Sequence, residues 1–382
     1  MLKYDRCGEN MSCKVNIADP LSTQNTDSEL FIRKIKEMSF PDHDDKHPVR
    51  LMEVCGTHTM AIAECGLKKV LPDSVQMISG PGCPVCVTPA NALDEIIRLA
   101  KMPGVIITSY GDLLRVPGSV QGQSLAACRS EGCDIRMVYS PMDTLDIGRS
   151  NPDKDVIFIA VGFETTAPGT AVLISQAADM NIKNLSVLSL LKLTPPAVRA
   201  ILNDPGCHVD GLLCPGHVAV ITGADAFSFL PDEYRLPAVV SGFETEDLCV
   251  SVYELCRQIK DSAPELVNEY SRTVSSCGNK AAQEITDMVF EPCESTWRGL
   301  GVIPGSGLKM RNRYKDHDAA VRFGFAPSES PVSVSCRCGD VLRGIITPHE
   351  CPMFGKICTP SDPVGPCMVS GEGSCAAAYK YE

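Results

Sequence analysis

The sequence predicts an α/β protein with two parallel sheets, followed by a third region that contains little sheet. Between residues 48 and 242, short apolar runs rich in Val, Ile and Leu alternate with helix-like stretches. The runs are mostly apolar and do not alternate regularly with polar residues, which is typical of strands buried on both faces, and their alternation with helices indicates βαβ units. Beyond residue 245 the pattern changes to helical segments, and the end of the chain is rich in Gly, Pro and Cys.

Eight strands are predicted, in two sheets of about four. They cover residues 49–54, 74–79, 104–109, 135–140, 156–161, 185–190, 209–214 and 237–242. Helices are predicted at residues 91–101, 170–180 and 195–203. We place the division between the sheets near residues 141–155, because the stretch PMDTLDIGRSNPDKD is rich in Pro, Asp and Gly.

This division sets the expected domains. They are an N-terminal tail and helix that pack on the third domain (1–47), a first α/β domain with the CGTH and GPGCPVC loops (48–142), a second α/β domain with the GFETT and PGHV loops (143–244), and a C-terminal domain (245–382). A short repeat, Gly-Phe-Glu-Thr, follows an apolar run at residues 162–165 and again at 242–245. The repeat favours two related halves but is too short to carry the fold prediction.

The composition is that of a globular protein that binds other proteins or small ligands. The 382 residues are 44% hydrophobic and 21% charged, which is enough for two or three domains with apolar cores. A formal net charge of −12 argues against a protein that coats nucleic acid or an anionic membrane. The sequence shows neither a secretory signal nor an apolar run of about 18 residues, so we expect a cytoplasmic protein.

The loops best suited to chemistry each follow a predicted strand. They are EVCGTHT (53–59), SGPGCPVCVTP (79–89), VGFETTAP (161–168) and CPGHVAVITG (214–223). Because ligands bind beyond the carboxyl ends of parallel strands, we expect these loops to converge. His217 and Glu164 in the last two loops are explained equally well as residues that fix a loop by hydrogen bonds.

Twenty cysteines in a reducing compartment favour metal binding or catalysis over a disulfide framework. Cys83 and Cys86 form a Cys-Pro-Val-Cys turn, which can close a disulfide or chelate a soft metal. Cys55 follows the first strand directly, and His58 comes three residues later, suited to act as an acid, a base or a ligand. Three thiols from two neighbouring loops would form a soft site for iron or another thiophilic metal.

The C-terminal region holds a second concentration of thiols. Between residues 336 and 375 lie six cysteines: Cys336, Cys338, Cys351, Cys358, Cys367 and Cys375. Four thiolates suffice for an iron-sulfur cluster or a zinc site, so six are most naturally four ligands and a further pair. The intervals match neither ferredoxin pattern nor paired zinc knuckles, and spacing alone leaves both metals open.

Six motifs in unbroken order resemble the HypD family of hydrogenase maturation factors. They are CGTH, GPGCPVC, VGFETT, CPGHV, WRGLGVIPGSG and the segment from CRCGDVLRG to the final GEGSC, and they span the chain from about residue 30 to its end. The resemblance implies two similar α/β domains that face a central cleft and a third domain that carries an iron-sulfur cluster. The extension with Cys7 and Cys13 lies outside it, and GFETED stands where the family usually has GFEP.

The resemblance also implies roles for individual residues. It places iron-binding thiols at Cys55, Cys83 and Cys86, and histidines of the central cleft at His58 and His217. The ligands of a 4Fe-4S cluster fall on Cys336, Cys351, Cys358 and Cys375. A pair thought to relay electrons falls on Cys338 and Cys367, and Glu372 lies close to the last ligand.

The function implied is assembly of the active-site iron of nickel-iron hydrogenases. Family members and the chaperone HypC hold an iron ion while it acquires two cyanides and one carbon monoxide, and HypE donates the cyanide. The iron group then passes through HypC to the hydrogenase large subunit. Two other classes stay open on the residues alone, a stand-alone iron-sulfur thiol-disulfide oxidoreductase and a structural zinc protein. We expect no nucleotide site, since the glycine-rich stretches match no phosphate-binding loop.

Overall fold

The computed structural model describes residues 26–44, 46–120, 122–327 and 336–382. Most of the predicted N-terminal tail, including Cys7 and Cys13, lies outside the described residues. Within the described ranges, none of the helices has the length and apolar character needed to cross a membrane.

The described residues contain eleven strands. They are β1 (Val49–Glu53), β2 (Val75–Ser79), β3 (Val105–Ser109), β4 (Asp134–Met137), β5 (Asp155–Gly162), β6 (Leu185–Leu191), β7 (Gly211–Pro215), β8 (Ala238–Ser241), β9 (Leu266–Asn268), β10 (Phe290–Trp297) and β11 (Gly301–Met310). Each of the eight predicted strands overlaps one of β1 to β8, whereas β9 and the hairpin β10–β11 were not predicted.

Sixteen α-helices connect and cover these strands in the described ranges. They are α1 (Thr26–Lys36), α2 (Gly56–Glu64), α3 (Leu67–Val70), α4 (Ala90–Ala100), α5 (Gly111–Leu114), α6 (Leu125–Ser130), α7 (Pro141–Ser150), α8 (Ala167–Asp179), α9 (Thr194–Leu202), α10 (Gly216–Thr222), α11 (Phe229–Tyr234), α12 (Thr245–Asp261), α13 (Lys280–Val289), α14 (Ala319–Phe323), α15 (Cys338–Leu342) and α16 (Ser374–Tyr381). The three predicted helices are confirmed as α4, α8 and α9. Short 3-10 helices lie at Ala224–Phe227, Asn312–His317, Pro348–Glu350 and Pro366–Met368.

Two parallel sheets form the framework, so the predicted α/β class is confirmed. Sheet 1 has the strand order β2-β1-β7-β8-β9, and sheet 2 has the order β4-β3-β5-β6. All neighbouring strands in both sheets run parallel. Hairpin β10–β11 is antiparallel and packs beside β6. A cleft between the two sheets remains a prediction.

The predicted division of the strands into a first four and a second four is wrong. The chain builds β1 and β2 of sheet 1, crosses to sheet 2 for β3 to β6, and returns to sheet 1 for β7 to β9. Apolar runs look alike in both sheets, so they do not reveal which strands pair. The polar stretch taken as a linker is α7, which begins with Pro141 and is capped by Ser140 and Asp143.

The sequence predicted a separate domain from residue 245 onward, but residues 245–310 pack on the two sheets. Helix α12 packs on β7 and β8, β9 extends sheet 1, and the hairpin packs beside sheet 2. Helix α1 packs on α12 and so covers sheet 1. The cysteine-rich segment 336–382 lies against these layers, with α16 packed on α2.

Lys192 is buried at the junction of sheet 2 and the hairpin. It follows β6 and is 1% exposed. Its Nζ donates to Ser295 Oγ at 2.9 Å and to the Thr296 carbonyl oxygen at 2.8 Å, and it lies 5.1 Å from the centre of the Trp297 ring. Burial disfavours the charged form and lowers the pKa of Lys192 to about 7.

We expect Lys192→Met to remove a pH dependence of stability. Because the pKa of Lys192 is lower in the folded state, the unfolded chain binds more protons between pH about 7 and about 10.5, and wild-type stability rises with pH across that window. This group contributes a slope of at most about 1.4 kcal/mol per pH unit. Denaturant unfolding of the wild type and of Lys192→Met at several pH values measures this slope. A stability difference between them that stays constant with pH would contradict the prediction.

Candidate functional site

Cys55 lies beyond the carboxyl end of β1, directly before the first turn of α2, and its backbone is extended. Its sulfur lies near the backbone N–H groups of Thr57 and His58, which favour a thiolate. Burial has the larger effect and raises the pKa of Cys55 to about 12, and the nearby carboxylates of Glu372 and Glu53 act in the same direction. The thiol therefore keeps its proton at neutral pH unless a cation replaces it.

The GPGCPVC loop packs directly on Cys55. Strands β1 and β2 are parallel neighbours, so their following loops leave the same edge of sheet 1. The N–H of Gly56 donates to the carbonyl oxygen of Gly82 at 2.9 Å. A Cβ at Gly82 would lie 2.3 Å from the backbone nitrogen of Cys55, so only glycine permits this approach. The predicted convergence of these two loops is confirmed.

Cys83 and Cys86 form a disulfide, with their Cα atoms 5.2 Å apart. Of the two states that the sequence left open, the structure contains the disulfide, while Cys55 is a free thiol. Both residues are buried, with exposures of 3% for Cys83 and 0% for Cys86. Reduction by two electrons and two protons would give two further thiols beside Cys55.

Glu53, the last residue of β1, was not identified from the sequence. Its carboxylate accepts hydrogen bonds from Thr59 Oγ1 at 2.6 Å and from the N–H of Cys55 at 3.1 Å. Burial raises the pKa of Glu53 to about 7, and the hydrogen bonds partly offset this shift. An acidic residue at the end of an otherwise apolar run was the available signal. Glu53 fixes the turn that presents Cys55.

His58 and His217 meet through Phe243. His58 is fully buried, and its Nε2 lies 2.9 Å from the carbonyl oxygen of Gly242. Because this oxygen accepts, Nε2 carries the proton, and Nδ1 has no partner among the described residues. Burial lowers the pKa of His58 to about 4. Both imidazoles stack on Phe243, with ring centroids 4.6 Å away for His58 and 3.9 Å for His217. The structure thus joins the CGTH and PGHV loops through the second Gly-Phe-Glu-Thr repeat.

Glu372 connects the C-terminal segment to the Cys55 loop. The hydroxyl of Thr57 donates to Glu372 Oε1 at 3.1 Å. Burial raises the pKa of Glu372. A residue more than 300 positions away along the chain therefore lies within the electrostatic environment of Cys55.

Glu164 belongs to sheet 2 and has a local structural contact. Its carboxylate accepts from the N–H of Thr194 at 2.6 Å and from Thr194 Oγ1 at 2.9 Å, at the start of α9. Burial raises the pKa of Glu164 to about 7. Of the two explanations that the sequence left open, the structure supports the loop-fixing one. The adjacent Phe163 instead stacks on Trp297, with ring centroids 5.9 Å apart.

The six C-terminal cysteines line one small cavity that is partly open to solvent. The side chains that line it are apolar or carry sulfur, and none of them carries oxygen or nitrogen. The lining residues other than cysteine are Val341, Met353, Phe354, Val364, Gly365 and Met368. The short polypeptide between the cysteines wraps around this space in turns and 3-10 helices. The donor set is soft and the surroundings are apolar, which fits an iron-sulfur cluster.

The six thiols form two groups around the cavity. Cys336, Cys338 and Cys367 are close neighbours, and their interaction lowers the pKa of Cys338 and raises the pKa of the other two thiols. Burial raises the pKa of Cys375 to about 12, with smaller contributions from neighbouring Cys358 and Cys351. In the described part of the chain, no three His, Cys, Asp or Glu side chains are arranged around a single metal ion. The thiols surround a volume and do not converge on a point.

Arg298 was also missed, although its motif WRGLGVIPGSG was noted. It lies in the turn of hairpin β10–β11 and is 9% exposed. Its guanidinium lies close enough to Cys338 to lower the pKa of that thiol, and its backbone N–H donates to the carbonyl oxygen of Val87 at 2.8 Å. The hairpin turn therefore lies between the Cys83–Cys86 loop and the cysteine-lined cavity.

Comparisons with known proteins agree on one family. The HypD family model, described as the hydrogenase formation hypA family, matches residues 28–382. The chain is 46% identical to the hydrogenase maturation factor HypD2 of Bradyrhizobium diazoefficiens, over 88% of this chain and 90% of that protein. It is 44% identical to the hydrogenase maturation factor HypD of Azotobacter vinelandii and 42% identical to that of Escherichia coli, each over 88% of this chain and 90% of the relative.

These matches cover the CGTH and GPGCPVC loops, the histidine loops and the cysteine-lined cavity in one continuous alignment. The resemblance read from the six motifs is confirmed: the chain belongs to the HypD family of hydrogenase maturation factors.

Proposed function

We propose that this protein assembles the active-site iron of a nickel-iron hydrogenase. With a HypC-type chaperone it holds an iron ion near Cys55 while the ion acquires two cyanides and one carbon monoxide. A HypE-type protein donates the cyanide, and the finished group leaves through the chaperone to the hydrogenase large subunit. One observation carries the proposal: the backbone contact of Gly82 with Cys55 and Gly56 brings the loop of Cys83 and Cys86 to Cys55.

The environment of these sulfur atoms suits the cargo. Iron that carries cyanide and carbon monoxide favours soft, electron-rich thiolate ligands. Cys55 is 8% exposed and both sulfur atoms of the disulfide are buried, so little water competes for the ion. The neutral imidazole of His58, within this loop, and the carboxylate of Glu372, which accepts from Thr57, are suited to bind or orient the incoming ligands.

We further propose that Cys336, Cys351, Cys358 and Cys375 hold a 4Fe-4S cluster. These four cysteines line the same apolar cavity, Cys336 from one group of thiols and the other three from the second, which fits a cluster in which each iron takes its own protein ligand. Such a cluster, when bound, supplies electrons singly. Cys338 and Cys367 remain as a pair of thiols that can exchange with a disulfide.

A stand-alone thiol-disulfide oxidoreductase accounts less well for the structure. An enzyme of that class presents its reactive disulfide to a protein substrate, and its attacking cysteine is accessible. Here Cys83 is 3% exposed and Cys86 is fully buried, in a loop that contacts the Cys55 loop at Gly82 and the hairpin turn at Val87. That class also leaves Cys55, His58 and His217 without a role.

We expect Cys55→Ala to abolish the infrared bands of iron-bound cyanide and carbon monoxide in the purified complex with HypC, because the variant lacks the thiolate nearest the cargo. Cys65→Ala is the matched control, since Cys65 lies at the other end of α2. Full band intensity in the Cys55 variant would refute the assignment of the iron site.

We expect the anaerobically purified chain to contain about four iron and about four sulfide per molecule, together with the broad visible absorbance of a 4Fe-4S cluster. Additional iron with cyanide bands is expected only when HypC is present. Stoichiometric zinc without sulfide would instead identify the C-terminal cysteines as a structural zinc site.

We expect Cys338→Ala to keep the cluster absorbance and to stop hydrogenase maturation. Cys338 is assigned to the thiol pair, so its loss removes the exchange partner of Cys367 without removing a cluster ligand. Cluster content and hydrogenase activity in cells that produce the variant measure the two effects. Normal hydrogenase activity would show that the pair is dispensable, and Cys293→Ala, in the hairpin away from the cavity, serves as the control.

A further inference from the structure

The turn of hairpin β10–β11 is fixed between two thiol sites. Trp297, immediately before the turn, is 1% exposed and donates from Nε1 to Ser306 Oγ at 2.8 Å. The next residue, Arg298, donates its backbone N–H to Val87, one position beyond Cys86. The position of Arg298 is therefore set by backbone and core contacts that do not involve its side chain.

The other side of the turn contacts the helix that begins with Cys338. A Cβ at Gly299 would lie 2.3 Å from the Cα of Gly339, and a Cβ at Gly339 would lie 2.8 Å from the Cα of Gly299. Two glycines thus allow the turn and α15 to touch through their backbones. This contact places the Arg298 side chain next to the sulfur atoms of the cavity.

The buried guanidinium of Arg298 is not fully hydrogen-bonded. It lies close enough to Cys338 and Cys336 that its charge acts to lower the pKa of both thiols, but Nη1 has no hydrogen-bond partner among the described residues. Buried N–H groups without a partner are rare, and each costs free energy. The two neighbouring arginines differ, because Arg337 pairs with Asp340, and Arg343 pairs with Asp340 and Asp204.

We propose that Arg298 provides the hydrogen bond and positive charge that set the reduction potential of the cluster held by Cys336. This inference rests on the cluster of the proposed function. Arg298 does not line the cavity itself, so it would act on the cluster through its neighbours Cys338 and Cys336, the second of which is a proposed ligand. Reduction adds one negative charge to the cluster. A buried cation with N–H donors therefore stabilises the reduced cluster more than the oxidised cluster, which raises the reduction potential. Arg298 does not touch the hydrogenase cargo in this proposal; it acts only through the cluster.

The test is a redox titration of the anaerobically purified full-length chain, monitored by the electron paramagnetic resonance signal of the reduced cluster. We expect Arg298→Met to shift the midpoint potential to a more negative value, by a tenfold or larger change in the ratio of reduced to oxidised cluster, which is about 59 mV for one electron. Arg298→Gln keeps a donor and loses the charge, so we expect a smaller shift in the same direction.

Arg337→Gln is the matched control. It removes the same charge one residue from two cavity cysteines, but Arg337 is exposed and paired with Asp340, so solvent screens its effect. A shift in this control as large as in Arg298→Met would overturn the inference. Thermal unfolding is recorded in parallel, and a variant that loses stability at an unchanged potential would also overturn it, because Arg298 would then be only structural.

The failures of the inference and of the proposed function are distinguishable. A wild-type chain without iron and sulfide refutes the cluster and with it the inference. A wild-type chain that contains the cluster, with the same potential in both Arg298 variants, refutes only the role of Arg298. If Arg298→Met does not fold, Arg298→Gln decides between the two results.

Discussion

The structure depends most on the contact between two neighbouring loops of sheet 1. Parallel pairing of β1 and β2 brings the CGTH and GPGCPVC loops to the same edge, and Gly82 lets the second loop lie on the backbone of Cys55. A side chain at position 82 would separate the free thiol from the disulfide. The buried carboxylate of Glu53 and the N-terminus of α2 then fix the direction of the Cys55 sulfur.

The C-terminal segment extends this site and does not stand apart from it. Glu372 accepts a hydrogen bond from Thr57 beside Cys55, and α16 packs on α2, so the cysteine-rich segment adjoins the CGTH loop. Hairpin β10–β11 contacts both sites through one turn, at Val87 on one side and Gly339 on the other. These three contacts hold the cysteine-lined cavity and the Cys55 loop in one packed unit.

Much of the site was predictable because its cysteines and histidines lie in short sequence motifs. Cys55, Cys83 and Cys86 follow strands that are apolar enough to be recognised, and turn residues mark where those strands end. Sheet membership was not predictable: β3 and β5 read like β1 and β7, although they belong to different sheets. Arg298 and Glu53 were missed because a charged residue looks solvent-exposed until its surroundings are known, and only the packing of distant segments buries them.

By itself, the sequence determined the α/β class, the positions of the strands, the loops that carry the thiols and the family to which the chain belongs. These depend on local patterns of apolar residues, glycines and cysteines. The tertiary structure alone decided that the chain crosses between two sheets, that Cys83 and Cys86 form a disulfide in the loop that contacts Cys55, and that one hairpin turn lies between the two thiol sites. These features arise from contacts between residues far apart in the chain, whose free energy depends on burial and on partners that no local pattern specifies.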